Sequence, residues 1–212
     1  MISMTKKLTF VILPLFLHNC SVLSYNDAAV LVKGYTLGYE EDTISKATYD
    51  ESTASFANVK IGRGRSSTVV LAYVKDDLYE WRSADNVTLY TKRGMIFKIT
   101  GLKSDVIFSS FDVQDDSLYG VEFESLVSFS DPILYRSIAL NTIFKTDQQV
   151  IIRTPVGPML TTKIAHDFNV PKIGWKGRNY YYIDNNGVVV KSEQDIHPFL
   201  PRVTIQYFYK YD

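Results

Sequence analysis

Apolar and polar positions alternate most regularly between Trp81 and Leu102, where three β-prone runs are separated by Asp85-Asn86 and Arg93-Gly94. Both pairs are residue types that tolerate the positive φ of a short hairpin connection, so the stretch predicts a three-stranded meander. Met95, Phe97 and Ile99 alternate with Lys98 and Thr100, giving one face for a core and one for water. Further strand patterns flank it on both sides. Thr68 to Val74 is continuously apolar and predicts a strand buried on both faces. Val121, Phe123, Val127 and Phe129 share one parity in a half-buried strand ended by Asp131-Pro132, and Leu134, Ile138 and Leu140 continue the period. Two hairpins follow, one around Pro155-Val156-Gly157-Pro158 and one around Asn185-Asn186-Gly187, where Asn186-Gly187 predicts a type I′ turn. Val203, Ile205, Tyr207, Tyr209 and Tyr211 define the last strand. About ten strands without a long helical period predict an all-β fold, an antiparallel meander sheet curled into a barrel or sandwich.

The first part of the chain has a different pattern. Lys6 and Lys7 precede an apolar run from Leu8 to Leu17, which suits the hydrophobic region of a secretory signal and is too short to span a bilayer as a helix. Cys20, the single cysteine of the 212 residues, follows at once. The position resembles a bacterial lipobox, in which the chain is cut before a cysteine that is then acylated, although His18 and Asn19 stand where small residues are usual. The alternative is an ordinary signal peptide with an incidental cysteine. Acylation better explains a lone cysteine in an exported chain, since it would otherwise be an unpaired thiol. The expected organisation is a lipoprotein signal peptide over residues 1–19 and one β domain over 20–212, held to the membrane by lipid such as palmitate. Ser21 after the cysteine favours the outer membrane over inner-membrane retention. Asn26 or Asp27 predicts the cap of a short helix through Ala28, Ala29, Leu31 and Val32, ended by Gly34. Residues 40–42 and 50–53 read as polar connectors.

Charge changes the picture only by exclusion: 23 Lys and Arg balance 23 Asp and Glu, with no basic block, so nucleic acid is not an expected partner. No catalytic residue, metal site or cofactor is expected. His166 and His197 have acidic neighbours, Asp167 and Asp195, that could orient an imidazole, but no Gly-x-Ser-x-Gly elbow supplies a nucleophile. Asp76-Asp77 and Asp115-Asp116 read as turn residues rather than the opposed carboxyls of a glycosidase. Gly62-Arg63-Gly64-Arg65 lacks the Gly-Lys-Ser/Thr of a phosphate loop and reads as a loop entering a strand. Fifteen tyrosines, including Tyr180-Tyr181-Tyr182, offer rings for sugar stacking or for a sheet packed with aromatics.

Trp81-Arg82-Ser83-Ala84-Asp85, Gly94 with Thr100-Gly101-Leu102, Asp131-Pro132, and Asn179 to Asp184 with Gly187, Val190, Lys191-Ser192, Gln194, Pro198 and Pro201 together resemble the YjbF/GfcB family of group 4 capsule polysaccharide lipoproteins. Met95, Tyr181 and Glu193 differ from the residues common there. The resemblance implies an all-β outer-membrane lipoprotein facing the periplasm. It also implies companion polysaccharide-export proteins as partners, with polysaccharide itself a candidate ligand and no catalytic residues. A non-enzymatic accessory role in capsule or exopolysaccharide export or assembly is therefore expected. The rivals are a polysaccharide-modifying enzyme and a structural assembly factor for an export barrel. Trp81, Ser83, Asp85, Asn179 and Tyr181, aromatics beside polar groups not required by core packing, are expected to meet around one surface feature as a ligand site.

Overall fold

In a computed structural model, residues 43–102, 106–109, 120–129 and 135–210 are described. They form twelve strands: β1 Phe56–Ile61, β2 Ser66–Lys75, β3 Leu78–Ser83, β4 Thr88–Lys92, β5 Met95–Thr100, β6 Val106–Ser109, β7 Val121–Phe129, β8 Tyr135–Thr154, β9 Gly157–Val170, β10 Trp175–Ile183, β11 Val189–Gln194 and β12 Val203–Phe208. Each pairs antiparallel with the next in sequence, and β1 pairs with β12 from Phe56↔Phe208 to Ile61↔Val203. The sheet therefore closes into an up-and-down barrel, which removes the unpaired edges an open sheet would carry. The predicted all-β class holds, and of its two forms the chain takes the barrel. The helix expected over 26–34 and the acylated cysteine lie outside the described residues.

The tight turns follow from residue chemistry. Arg93 and Gly94 have φ of 50° and 77°, and Asp76 and Asp77 have 49° and 63°, so both pairs make two-residue hairpin loops with both central residues in the positive-φ region. Asp76-Asp77 is thus a turn, as its sequence suggested. At the β10–β11 hairpin Gly187 alone has positive φ, at 83°, and its N–H donates to Asp184 O at 3.1 Å. Val188 N and Asn186 N both donate to the Asp184 carboxylate, at 2.8 and 2.9 Å. The expected type I′ turn is therefore replaced by a loop in which Asp184 caps the chain and Gly187 takes the one left-handed position. The carboxylate supplies the preference that Asn-Gly alone would not.

A helix, α1, covers Lys46–Glu51, and its last two residues fall in the stretch 50–53 that read as connector. Ser45 caps it by accepting from Thr48 N at 3.1 Å, and its Tyr49 packs beside Phe56 and Phe208. Burial also corrects two strand assignments. β2 buries Val69, while Val70, Tyr73 and Val74 are exposed, so its apolar run is not covered on both faces. In β8 the interior takes Ala139 and Ile143, while Ile138 and Leu140 face out, the opposite parity to the one expected. In both strands an apolar run carried no information about which face closes.

Inside the barrel, two apolar clusters are separated by polar side chains. The larger centres on Trp81, Ile143, Ile164, Ile205 and Tyr207, and the smaller on Val127, Phe129, Phe168 and Val170. Beyond the bulge between Lys145 and Gln149, β8 pairs only with β9, through Thr154↔Gly157 at the tip. This arm lies on the outside of the barrel: Ile152 packs with Tyr182 and Val190, and Gln206 Nε2 donates to Arg153 O at 2.8 Å.

Candidate functional site

Alternation along β10 sends Asn179, Tyr181 and Ile183 inward and Tyr180 and Tyr182 outward. Inward residues of β7, β8, β9 and β11 complete a polar belt. Asn141 Nδ2 donates to Ser125 Oγ at 3.0 Å and to the carbonyls of Phe123 and Ala139, which leaves its Oδ1 as the acceptor for His166 Nε2 at 3.0 Å. The proton of His166 is thereby assigned to Nε2. Its Nδ1 then accepts from Asn179 Nδ2 at 3.4 Å, with the Tyr181 oxygen also 3.4 Å away. Tyr181 OH donates to Gln194 Oε1 at 3.2 Å, and Gln194 Nε2 donates to Gly94 O and Ser192 Oγ, both at 2.9 Å. The belt ties β5, β8, β9, β10 and β11 together with each buried amide satisfied, the condition under which an interior polar network specifies a fold.

Burial lowers the His166 imidazole to about 4, against a smaller raising pull from Asp167. Burial likewise pushes the Tyr181 and Tyr207 phenols up. A neutral histidine with both nitrogens engaged is an internal strut. Asp167 does not orient it, because adjacent strand residues face opposite ways: Asp167 lies outside and receives Arg178 Nε and Nη2 at 2.5 and 2.7 Å. That pairing holds the Asp167 carboxyl below its ordinary range. His197 accepts from Phe199 N at 3.1 Å, while Asp195 holds Arg202 at 2.6 Å. Among the described residues, no three His, Cys, Asp or Glu side chains are grouped to hold a metal ion. The cavity beside the belt, lined by Asn141, His166, Asn179, Tyr181 and Gln194 among others, has about 20 Å³, the room of one water molecule.

The five residues expected at one surface feature do not make a surface. Trp81 is fully buried, its Nε1 donating to Thr91 Oγ1 at 2.9 Å, and Asn179 and Tyr181 are buried in the belt. Ser83 donates to Asp85 and accepts from Val87 N at 3.0 Å, so these two close the β3–β4 turn. Trp81 and Tyr181 do share the larger core cluster, through packing. A ring with one polar edge satisfies a buried bond as readily as a sugar contact, which is why the sequence alone could not separate the two.

The roomier site is outside. Between the arm and the outer face of the barrel lies a groove of about 500 Å³. Its floor is set by register: Lys191, Gln206 and Asn58 are successive partners across β11, β12 and β1, and Thr204, Lys60 and Ser66 form the neighbouring rank across β12, β1 and β2. Val150 to Pro155 form the arm side, and Tyr182 and Phe208 lie at the base. Thr43 and Ile44 border it as well. Sequence reasoning missed this groove, since only the return of the β8–β9 arm onto the barrel creates it.

The family model for group 4 capsule polysaccharide lipoproteins, gfcB and YjbF, matches residues 26–208. The chain belongs to this family. The fold agrees with a solved member of the lipoprotein class: the crystal structure of the hypothetical lipoprotein YmcC from Escherichia coli (K12) superposes with a TM-score of 0.70 at 16% identity, covering 91% of this chain and 99% of that one. A lipoprotein from Parabacteroides distasonis, at 12% identity, gives a TM-score of 0.39 over 75% of this chain and 95% of its own. No curated protein matches. No helix among the described residues is long and apolar enough to cross a membrane.

Proposed function

We propose that this capsule-family lipoprotein is anchored to the outer membrane through an acylated Cys20, after loss of residues 1–19, and faces the periplasm. There its β barrel serves capsule or exopolysaccharide export or assembly as a non-enzymatic accessory, alongside companion export proteins. The observation that carries this is family membership across residues 26–208, nearly all of the proposed mature domain. The geometry supports the non-enzymatic form over the enzyme. His166, in the polar belt, is neutral and bonded at both nitrogens, and its acidic neighbour points the other way. No Asp or Glu is among the described residues lining the large groove, so those residues supply no opposed carboxyl pair.

One observation favours the assembly-factor alternative: the arm presents Ile151, Val156 and Leu160, exposed by 65%, 62% and 46%, as an apolar tip suited to another protein. Deletion of the gene, followed by complementation with wild type or Cys20→Ser, tests the proposal. Deletion is expected to reduce surface polysaccharide, wild type to restore it, and Cys20→Ser to leave the membrane fraction and fail. Normal surface polysaccharide in the deletion strain would overturn the role; a membrane-bound Cys20→Ser protein would overturn the anchor.

A further inference from the structure

We propose that the tip of the β8–β9 arm, Ile151, Val156 and Leu160, dips into the surface of the lipid bilayer to which the chain is tethered. The inference rests on the lipid anchor proposed above and adds a second membrane contact to it. Register builds the surface. Ile151 and Leu160 are direct cross-strand partners and stand on one face of the two-stranded arm, while Ile152 and Met159 are partners on the other. That second face is seated on the barrel, where Ile152 packs with Tyr182 and Val190 and Met159 packs against the same cluster. The first is turned to solvent, with Ile151 and Leu160 exposed by 65% and 46%. Val156, 62% exposed, lies beyond them in the two-residue loop Pro155-Val156, with Thr154 Oγ1 donating to Gly157 O at 2.7 Å across its base.

Turn corners draw glycine, proline or short polar residues, so an exposed valine at this one has no local reason. From Gln149 to Thr162 the arm carries no Asp or Glu, and its one cation is Arg153, whose long stem lets the guanidinium reach headgroups while aliphatic neighbours sink. The tip suits an apolar partner of either kind, and two observations favour lipid over a second protein. The first is area: three aliphatic side chains expose a few hundred Å² at most, against about 800 Å² per partner in a stable protein interface. A tethered domain needs far less, because the leash keeps tip and bilayer at high effective concentration. The second is where the described chain begins. Thr43 and Ile44 border the groove beneath the arm, together with Thr154 and Pro155 of the tip. Residues 21–42 alone separate Cys20 from Thr43, at most about 80 Å of extended chain. The arm therefore lies on the side of the domain at which the described chain begins, within reach of the anchored end. It is also preformed, since Gln206 Nε2 fastens it at Arg153 O at 2.8 Å and Ile152 is already seated.

The test uses the protein purified from membranes and reconstituted in vesicles of phosphatidylethanolamine and phosphatidylglycerol. With Cys20 acylated, Val156→Cys supplies the one free thiol, which takes an environment-sensitive nitrobenzoxadiazole dye. Lys176→Cys is the comparison, an exposed position paired with Asn169 at the end of β9 far from the arm. Spin-labelled lipid in the vesicles is expected to quench the Val156 dye by about half or more, and the Lys176 dye little, as a tip in the headgroup and acyl boundary requires. Ile151→Asp with Leu160→Asp, both at exposed positions, is expected to remove most of the quenching at Val156. If that pair does not fold, Leu160→Asn carries the test with a smaller loss of the same sign. A Val156 dye quenched no more than the Lys176 dye would overturn the inference. So would a dye that shifts to the blue without being quenched, which means burial against a second copy of the chain, or quenching untouched by the Ile151 and Leu160 changes. A wild-type protein that takes the dye has a free Cys20 and overturns the anchor, and the inference with it. Failure at Val156 in a wild type that takes no dye discards the tip and leaves the anchor standing.

Discussion

Acidification should weaken this barrel through a single buried side chain. His166 sits neutral in the polar belt, with its imidazole lowered by burial from an ordinary 6.5 to about 4. Between those pH values the unfolded chain takes up a proton that the folded chain refuses, so stability falls as pH drops. The contribution is fully present above pH 6.5, declines through the window and is gone below about 4. At ~1.4 kcal/mol per unit, the difference from pH 7.5 to 4.5 is about 2.5 kcal/mol. That is a large share of a typical domain's stability of about 5–15 kcal/mol. Urea unfolding followed by tryptophan fluorescence gives the free energy at each pH, with Trp81 fully buried and therefore a sensitive reporter. His166→Gln supplies the control, since other titrating groups act in both proteins. The wild type should lose about 2.5 kcal/mol more than the variant over that range. Parallel losses, within about 0.5 kcal/mol, would refute a neutral buried His166.

Two other substitutions test the packing, and one tests a turn. Gly94→Ala should cost about 3 kcal/mol in urea unfolding, because its φ is 77° and a Cβ there would lie 2.5 Å from Val189 Cγ1. Gly187→Ala, at φ 83° with open space around it, should cost about 1 kcal/mol, so equal costs would contradict the close approach at Gly94. Trp81→Phe removes the bond to Thr91 Oγ1 and leaves a gap in the largest cluster, for an expected loss of about 2–3 kcal/mol in urea unfolding followed by circular dichroism.

What was legible in the sequence was local. Arg93-Gly94 and Asn86 announced turns because so few residue types accept their φ, of 50°, 77° and 65°. The inward parity of Val127 and Phe129 could be read from alternation, and so could that of Val203, Ile205 and Tyr207. Parity failed at Ile138 and Leu140 because the interior there is polar: Asn141 and Ser125 face in, so the apolar residues of β8 marked the wrong side. The belt as a whole was hidden for the same reason. Ser125, Asn141, Ser192 and Gln194 look like solvent positions until a barrel closes around them. Their one signal was that Ser192 and Gln194 belong to a block shared with the family. The groove had no local signature, since Lys60, Arg153 and Lys191 are far apart in sequence and meet only when the arm folds over the barrel.

The central claim, a polysaccharide accessory that performs no chemistry on its polymer, is tested most directly with the surface polysaccharide of the producing cells. The immobilised chain is incubated with that polymer, and retention, chain length and reducing ends are measured together. The account predicts that the polymer is retained and recovered with its length, composition and reducing ends unchanged. New reducing ends, altered composition or passage without retention would contradict it.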